Sequence, residues 1–487
     1  VLAALALAPL LAGCFSSGAD TRSGGGARLR VALAFPPAER LSPYGADGTI
    51  LSRLGITESL TALDGNGAAA PALASSWRQE GARSWLFTLR EATFHDGTDV
   101  TAQAVAASLA QAARAKPAPA AVSGSTLTAR AVDRHRVRIT TERPDPILPL
   151  RLSSPGLAVL SARAYAHRGA VDPAGSGTGP FALKKVNGTS SATLERYDGY
   201  WGGRARAAGI DVRFVADGTA RTNALRSGDV DIAEAVPVAQ AATLDADTRR
   251  ETATTRTTSL LLNSRSGPFR DAGLRAAARA AVDTSGLAQG VYEGHADRGA
   301  GIYGPAVTWA EGKHRRPEGR AAAEPADGTA VTLATYDNRP ELPEVAQVLK
   351  QQLEAAGFRV QLVVREYSRL ESDALAGKFD SFVLARNSLV DTGDPVAVLA
   401  GDYTCDGGYN LALLCDRAVD RAVAAAERTA DPAERRTAAL GAEAAILGTD
   451  TVVPLVHQRV ITGVGSAVKG VLLDPYERAL VGTGTRR

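Results

Sequence analysis

A two-lobed α/β fold is predicted for this chain of 487 residues by three observations. Two strand–helix–strand units stand far apart, one between Gly177 and Pro237 and one between Val331 and Val364. Each implies parallel strands, because a crossover helix is what joins neighbours that run the same way. The length is also too great for one ordinary core. Two α/β sheets separated in this way imply two lobes with a cleft between them. The expected architecture is a clamp with a mixed sheet in each lobe. Residues 28–262 plus 456–487 form the first lobe, with an extra subdomain over about 50–165, and residues 263–455 form the second.

In chain order, Arg28 to Phe35 alternates as a first strand, and Leu41-Ser42-Pro43-Tyr44 follows as a loop. Tyr44 is a candidate for the cleft, since loops at strand ends line ligand sites in α/β folds. Ile56 to Leu60 reads as a helix end and Asp64-Gly65-Asn66-Gly67 as a tight turn. Ser84 to Arg90 alternates as a strand, Phe94-His95-Asp96-Gly97 turns the chain, and Thr101 caps a helix over Ala102 to Ala113. His95 reads as a structural turn residue, and Val132 to Thr140 as another strand. In the first crossover unit, Ile210 to Val215 is a strand, Thr219 to Leu225 a helix, and Gly228 ends that helix where a left-handed residue costs little. Trp201, in Tyr200-Trp201-Gly202-Gly203, is expected to pack in the core. An Ala-rich helix spans Asp271 to Val282, and His295 to Thr329 reads as a stretch of low order. The second crossover unit is Val331 to Tyr336, an amphipathic helix Leu342 to Ala356 capped by Gly357, and Val360 to Val364. Ser368 to Ala376 and Phe382 to Ala385 extend its sheet. Helices follow over Asp416 to Ala426 and after Asp431-Pro432, where Asp431 caps and Pro432 takes the first helical position. Val452 to His457 is a buried strand.

The 55 basic and 52 acidic residues give a net charge of +3 and are spread along the chain, which speaks against nucleic acid as a partner. Three cysteines divide into two groups. Cys14 follows an apolar run from Leu2 to Ala12, and Leu11-Ala12-Gly13-Cys14 matches the bacterial lipobox. Small residues there let a peptidase cut before a cysteine whose sulfur carries diacylglycerol, and acyl chains supply about 0.8 kcal/mol per buried CH₂. Without a starting Met or a basic leader, the chain is expected to be truncated or to start at an alternative codon. Gly18 to Gly26 reads as a flexible tether. No other run approaches the roughly 20 apolar residues that span a bilayer. Cys405 and Cys415 are expected to form a disulfide outside the cytoplasm, worth roughly 2–3 kcal/mol in the chain-entropy account. No nearby His or further Cys completes a metal site.

Several ordered segments resemble the bacterial extracellular solute-binding proteins of family 5, which serve peptide and nickel ABC importers. Pro71 to Trp77, Trp85-Leu86-Phe87-Thr88-Leu89-Arg90 and Phe94-His95-Asp96-Gly97 resemble the family's signature region. Gly177-Thr178-Gly179-Pro180, Tyr200-Trp201-Gly202-Gly203 and Gly228-Asp229-Val230-Asp231 resemble its central part. Leu262-Asn263, Pro268-Phe269-Arg270-Asp271 and Ala280-Ala281-Val282-Asp283 resemble the entry to the second lobe. The resemblance covers Arg28 to Val471 and implies a lipid-anchored, monomeric clamp on the outer face of the cell membrane. Such a clamp closes on a small, oligopeptide-like solute and delivers it to permease and ATPase subunits, without catalysis, cofactor or metal.

In the family's dipeptide binders an Asp before Asn-Gly-Asp-Pro holds the ligand ammonium; Asp391-Thr392-Gly393-Asp394-Pro395 resembles that run and makes Asp391 the candidate, with a turn-capping role as its plain alternative. The preceding Arg386-Asn387-Ser388 is polar where those relatives carry aromatics. Arg386 and Asn387 read as a donor pair for an anionic or sugar-like solute, or as a solvated rim. In place of the arginine used there for the ligand carboxylate stand Pro343 and Glu344, and the arginines of the nickel binders have no counterpart near Leu148 to Leu160. A receptor that presents a ligand to a sensor is the alternative use of the same fold. A secreted hydrolase is a weaker rival, because no Gly-x-Ser-x-Gly or His-Glu-x-x-His occurs. Gly299 to Gly304 matches a dinucleotide fingerprint by letter only, since Pro305 follows and no helix opens there.

Overall fold

The structure, a computed structural model, describes residues 26–116, 118–122, 126–167 and 170–487. Its centre is a pair of long antiparallel strands, Arg249–Leu262 and Val452–Val464. Toward the first lobe, Val452–Val464 pairs with Ile232–Ala233; toward the second, Arg249–Leu262 pairs with Ser381–Asn387. The sheets expected in the two lobes are therefore both present and are joined through these strands into one continuous hydrogen-bonded path.

In the first lobe, Leu29–Leu33 pairs in parallel with Gly209–Phe214 on one side and with Ile232–Ala233 on the other. The crossover helix Gly218–Arg226 links these two neighbours, capped by Asp217 and ended near Gly228 at φ 76°. The first unit is thus parallel as read, with the opening strand of the chain lying between its two strands. Leu29, Val31, Phe181, Leu194, Ile210 and Ile232 are buried together beneath this sheet. A second core, from Leu60 to Val159, lies under an antiparallel sheet of Ala74–Gly81, Ser84–Leu89, Arg136–Thr141 and Leu127–Ala131. The helix Ala102–Arg114 packs on it, with the Thr101 hydroxyl accepting from Ala104 N as the capping pattern requires.

In the second lobe, Ala330–Tyr336 pairs in parallel with Arg359–Arg365 and with Ser381–Asn387. The helix Glu341–Ala355 buries Leu342, Val345, Leu349 and Leu353, its apolar stripe, and Gly357 follows it at φ 94°. Asp271, Asp416 and Asp431 each cap the helix that follows.

Four expectations change. Ile56 to Leu60 is irregular, not a helix end: the helix Asp47–Arg53 stops earlier and Gly55 takes φ 64°. The strand expected over Val132 to Thr140 starts only at Arg136, as Arg136–Thr141: Asp133 Oδ1 accepts from His135 N and Arg136 N and makes the residues before it the turn of a hairpin with Leu127–Ala131. Side-chain capping of the turn outweighs the β-branched pattern. The helix expected over Ser368 to Ala376 is present but shorter, as the α-helix Glu371–Leu375, with a 3₁₀ turn, Tyr367–Arg369, ahead of it. The stretch His295 to Thr329 is irregular but ordered against the core: Ala296–Arg298 adds to Val452–Val464, and Ile302, Tyr303 and Ala310 are buried. In its Gly299–Gly304 run, the Ile302 and Tyr303 amides donate to Glu443 of a neighbouring helix, so the glycines serve close packing.

The segments most typical of the family resemblance meet in one knot. A Cβ on Gly177 or Gly179 would lie 2.2 Å from the carbonyl oxygen of Ile56 or Gly55, so only glycine fits. His95 docks on the same loop, its N–H donating to Gly177 O and its Nε2 to Gly179 O, both at 2.8 Å. Burial pulls its pKa down to about 4, and the neutral imidazole is a framework group, as its turn position implied. Trp201 is half-buried against the core; its Nε1 and the Tyr200 hydroxyl donate to Glu58 at 3.0 and 2.9 Å, and Arg90 covers its ring at 3.5 Å. Gly179→Ala is therefore expected to cost about 1–3 kcal/mol. A urea-unfolding midpoint equal to that of the parent would contradict the close approach.

Candidate functional site

The strand Ser381–Asn387 ends beside the long strand pair, and its last residues lie where the lobes meet. Arg478, from the C-terminal segment, donates both to Leu389 O and Val390 O just beyond this strand and to Ser153 of the first lobe. Gly393 abuts Leu63 of the first lobe. Between these contacts stand the residues singled out from the sequence.

Arg386 Nε donates to Asp402 Oδ2 at 2.8 Å and Nη2 to Asp391 Oδ2 at 3.0 Å, and the guanidinium lies 4.9 Å from the centre of the Tyr409 ring. Burial works against this charge, but Asp402 and Asp391 more than offset it and raise the pKa well above the ordinary value. The two carboxylates differ in access: the side chain of Asp402 is 6% exposed and that of Asp391 37%. The pair therefore presents a carboxylate and one face of a guanidinium together. Tyr409 and Tyr367 share a hydroxyl contact, and Tyr336 meets the Tyr367 ring edge-on at 5.0 Å, so the wall around Arg386 is aromatic. Tyr409 belongs to the loop closed by the Cys405–Cys415 disulfide. Asn410 braces that loop, donating to Thr404 O and Leu414 O.

Asn387 has a different role from its neighbour. It is buried, its Oδ1 accepting from Thr255 and Leu389 N and its Nδ2 donating to Tyr476 O and Glu477. All of its amide groups are engaged within the protein, so it fixes the strand end that carries Arg386. Tyr44 is half-buried, with its hydroxyl 3.3 Å from that of Tyr165 and its ring against the Leu60–Val159 core. The structure thus brings Arg386 and Asp391 together, sets Asn387 behind them, and turns Tyr44 to partners of its own lobe. Cys14 and the tether up to Gly25 lie outside the described residues. Pro343 and Glu344 sit on the helix Glu341–Ala355, Glu344 at its exposed side.

The sequence reading missed the charge network behind the strand end. Glu477 accepts from Arg256 Nε and Nη2 at 3.0 and 3.1 Å as well as from Asn387. Burial opposes its ionisation, but the guanidiniums of Arg256 and Arg339 overcome this and pull its pKa down to about 2. Glu477 is near the end of the chain and Arg256 in the middle, so no local pattern joins them. Arg339 was open to discovery: it follows the strand Ala330–Tyr336, and strand C-terminal ends are where open α/β sheets bind ligands.

The chain is similar to known proteins along most of its length. The sequence profile of the bacterial extracellular solute-binding proteins, family 5 (middle region) matches residues 68–410. The "Probable D,D-dipeptide-binding periplasmic protein DdpA" of Escherichia coli (strain K12) is 25% identical over 91% of this chain and 87% of its own. A glutathione-binding protein of Shigella dysenteriae serotype 1 is 25% identical over 89% of this chain and 90% of its own. Among solved structures, NikA of Staphylococcus aureus in complex with Ni(L-His)2 superposes with a TM-score of 0.81 at 20% identity, over 95% of this chain and 100% of that one. A dipeptide-binding protein of Pseudoalteromonas sp. SM9913 in complex with Met-Leu gives 0.81 at 19% identity, over 94% and 99%.

Two measurements probe the site's support. Glu477→Gln should cost about 3 kcal/mol at neutral pH, since it leaves the largely buried Arg256 guanidinium short of its partner. A carboxylate with a depressed folded pKa stabilises fully above its unfolded value, so the gap in Tm between parent and variant should close as pH falls from 4.5 toward about 2. A gap that stays constant across that window argues against the ionised pair. Cys415→Ser should cost about 2–3 kcal/mol under non-reducing conditions. An unchanged denaturation midpoint would mean the loop is held by its hydrogen bonds alone.

Proposed function

The chain belongs to the bacterial extracellular solute-binding proteins, family 5, and on that premise we propose that it captures a small, oligopeptide-like solute between its lobes for an ABC importer. Cys14, lipidated, would hold it at the outer face of the membrane, where it hands the solute to permease and ATPase subunits as a monomer. The observation that carries the reading is the half-exposed ion pair of Arg386 and Asp391 at the lobe boundary, walled by Tyr367 and Tyr409. An exposed carboxylate beside a guanidinium offers an acceptor for an ammonium group and N–H donors for carbonyl or carboxylate oxygens, the two ends of a peptide unit. Aromatic walls supply apolar contact without closing off the polar groups.

Supporting the reading further, two family members similar to this chain are named for peptide ligands, a D,D-dipeptide and glutathione. The sheet passes from one lobe to the other through the strand pair Arg249–Leu262 and Val452–Val464, an arrangement suited to hinge closure around a solute. No helix among the described residues is long and apolar enough to cross a membrane, so attachment would fall to the lipid on Cys14.

Calorimetric titration with a set of di- and tripeptides, after native mass spectrometry of whatever co-purifies, tests the reading. Asp391→Ala should weaken the tightest peptide by about tenfold to a hundredfold, the range for a lost charge-assisted hydrogen bond. Arg386→Ala should weaken it at least as much, because Asp402 then loses its partner as well. Peptide affinities unchanged in both variants would remove these residues from the site.

A further inference from the structure

Several arginines stand at the lobe boundary, and nearly all are matched. Arg53 pairs with Glu234, Arg256 with Glu477 and Arg459 with Asp297. Arg221 donates to the carbonyls of Val215, Ala216, Glu234 and Ala235. Arg339 differs: among the described residues its guanidinium makes no hydrogen bond and no ion pair. It is only part-buried, and more distant carboxylates, Glu477 and Glu341 first among them, outweigh the effect of burial and hold it cationic.

Its contact with an aromatic ring crosses from lobe to lobe. The guanidinium carbon lies 5.7 Å from the ring centre of Phe35, which follows the strand Leu29–Leu33 and is 37% exposed. Phe35 and Arg339 line the same recess, with the Gln458–Ile461 stretch of the hinge strand forming another of its sides. Of the charged side chains lining it, Arg221 and Arg459 are engaged as above, and Glu341 accepts from Gln458 Nε2 at 3.1 Å. Among the described residues, the guanidinium in the recess whose N–H groups have no hydrogen-bonded partner is therefore that of Arg339. An aromatic ring covers the flat face of a guanidinium and leaves the N–H edge free, and that edge matches the two oxygens of a carboxylate.

We propose that Arg339 receives a carboxylate of the captured solute while Phe35 closes over its face, so that this chain selects acids carrying at least one free carboxylate. The proposal rests on the reading of the cleft as the solute site and names the class of solute. It also relocates the carboxylate anchor: the helix positions Pro343 and Glu344 offer none, whereas the turn before the same helix does.

The test pairs each probe with its uncharged form: D-alanyl-D-alanine, L-alanyl-L-alanine and glutathione, each against the corresponding carboxamide, titrated calorimetrically into the parent protein. At least one free acid should bind about tenfold or more tighter than its amide. Arg339→Gln should erase that preference by weakening the acid about tenfold or more while leaving the amide within twofold, and Arg339→Lys should restore part of it. Equal binding of acid and amide by the parent overturns the proposal without any variant, as does an Arg339→Gln protein that keeps the preference. If amides bind as well as acids and Asp391→Ala still weakens both, the cleft reading stands and only the carboxylate assignment falls. If no probe binds in either form at millimolar concentration, both fall.

Discussion

Everything that makes this molecule a clamp depends on the pairing of Arg249–Leu262 with Val452–Val464. The ladder is regular from Arg249 to Ala253, but from Ala253 to Thr257 the first strand advances four residues while its partner advances two, and a second shift follows between Thr258 and Ser259. The extra residues bulge at the lobe boundary, where bulges break a ladder and bend a strand. Thr254 still donates through its hydroxyl to Gln458 O of the partner strand, but the other polar groups are met from outside the pair: Thr255 N donates to Pro475 O and Ser388 N to Thr255 O. A change in angle between the lobes thus acts on contacts to Ser388 and Pro475, and those residues flank Asn387 and Glu477. The hinge and the proposed site share their backbone.

That sharing explains why buried charge is concentrated here. Glu477 gathers Arg256, Asn387 and the more distant Arg339. Buried ion pairs are poor sources of net stability, but removing one partner is costly, which makes such a network specific about geometry. The lobes are held to one register by a carboxylate whose donors, Arg256 and Asn387, come from two separate stretches of chain, with the charge of Arg339 nearby. Arg386 and Asp402 repeat the pattern within the second lobe, with Asp391 left as the accessible member.

The fold was legible in the sequence to the extent that its elements are local. The helix Glu341–Ala355 shows its stripe, its capping glycine and its flanking strands within forty residues, and the structure follows it almost residue for residue. Errors arose where a side chain overrode a pattern, as with Asp133 turning the run from Val132 into a hairpin. The site was legible only in part. Arg386 and Asp391 lie five residues apart and were found together, whereas Arg256 and Glu477 are separated by 221 positions. Asn387 looked like its neighbour Arg386 in sequence, yet successive residues of a strand face opposite sides, so one is presented and the other is enclosed. Phe35 and Arg339 each follow the C-terminal end of a strand, a signal that marks them singly, but their contact between lobes leaves no trace in either local stretch.

The glycine knot around Glu58 has a consequence of another kind. It unites the Gly177–Pro180 loop, the Phe94–Gly97 turn and the Tyr200–Gly203 run, all within the first lobe. These are the stretches by which the sequence is most readily recognised, and none of them includes Arg339, Arg386 or Asp391. Kinship in this chain is written in its scaffold and cargo in its cleft, so the two can drift independently. A descendant could change what it carries through a handful of substitutions and remain, to any reader of its motifs, the same protein.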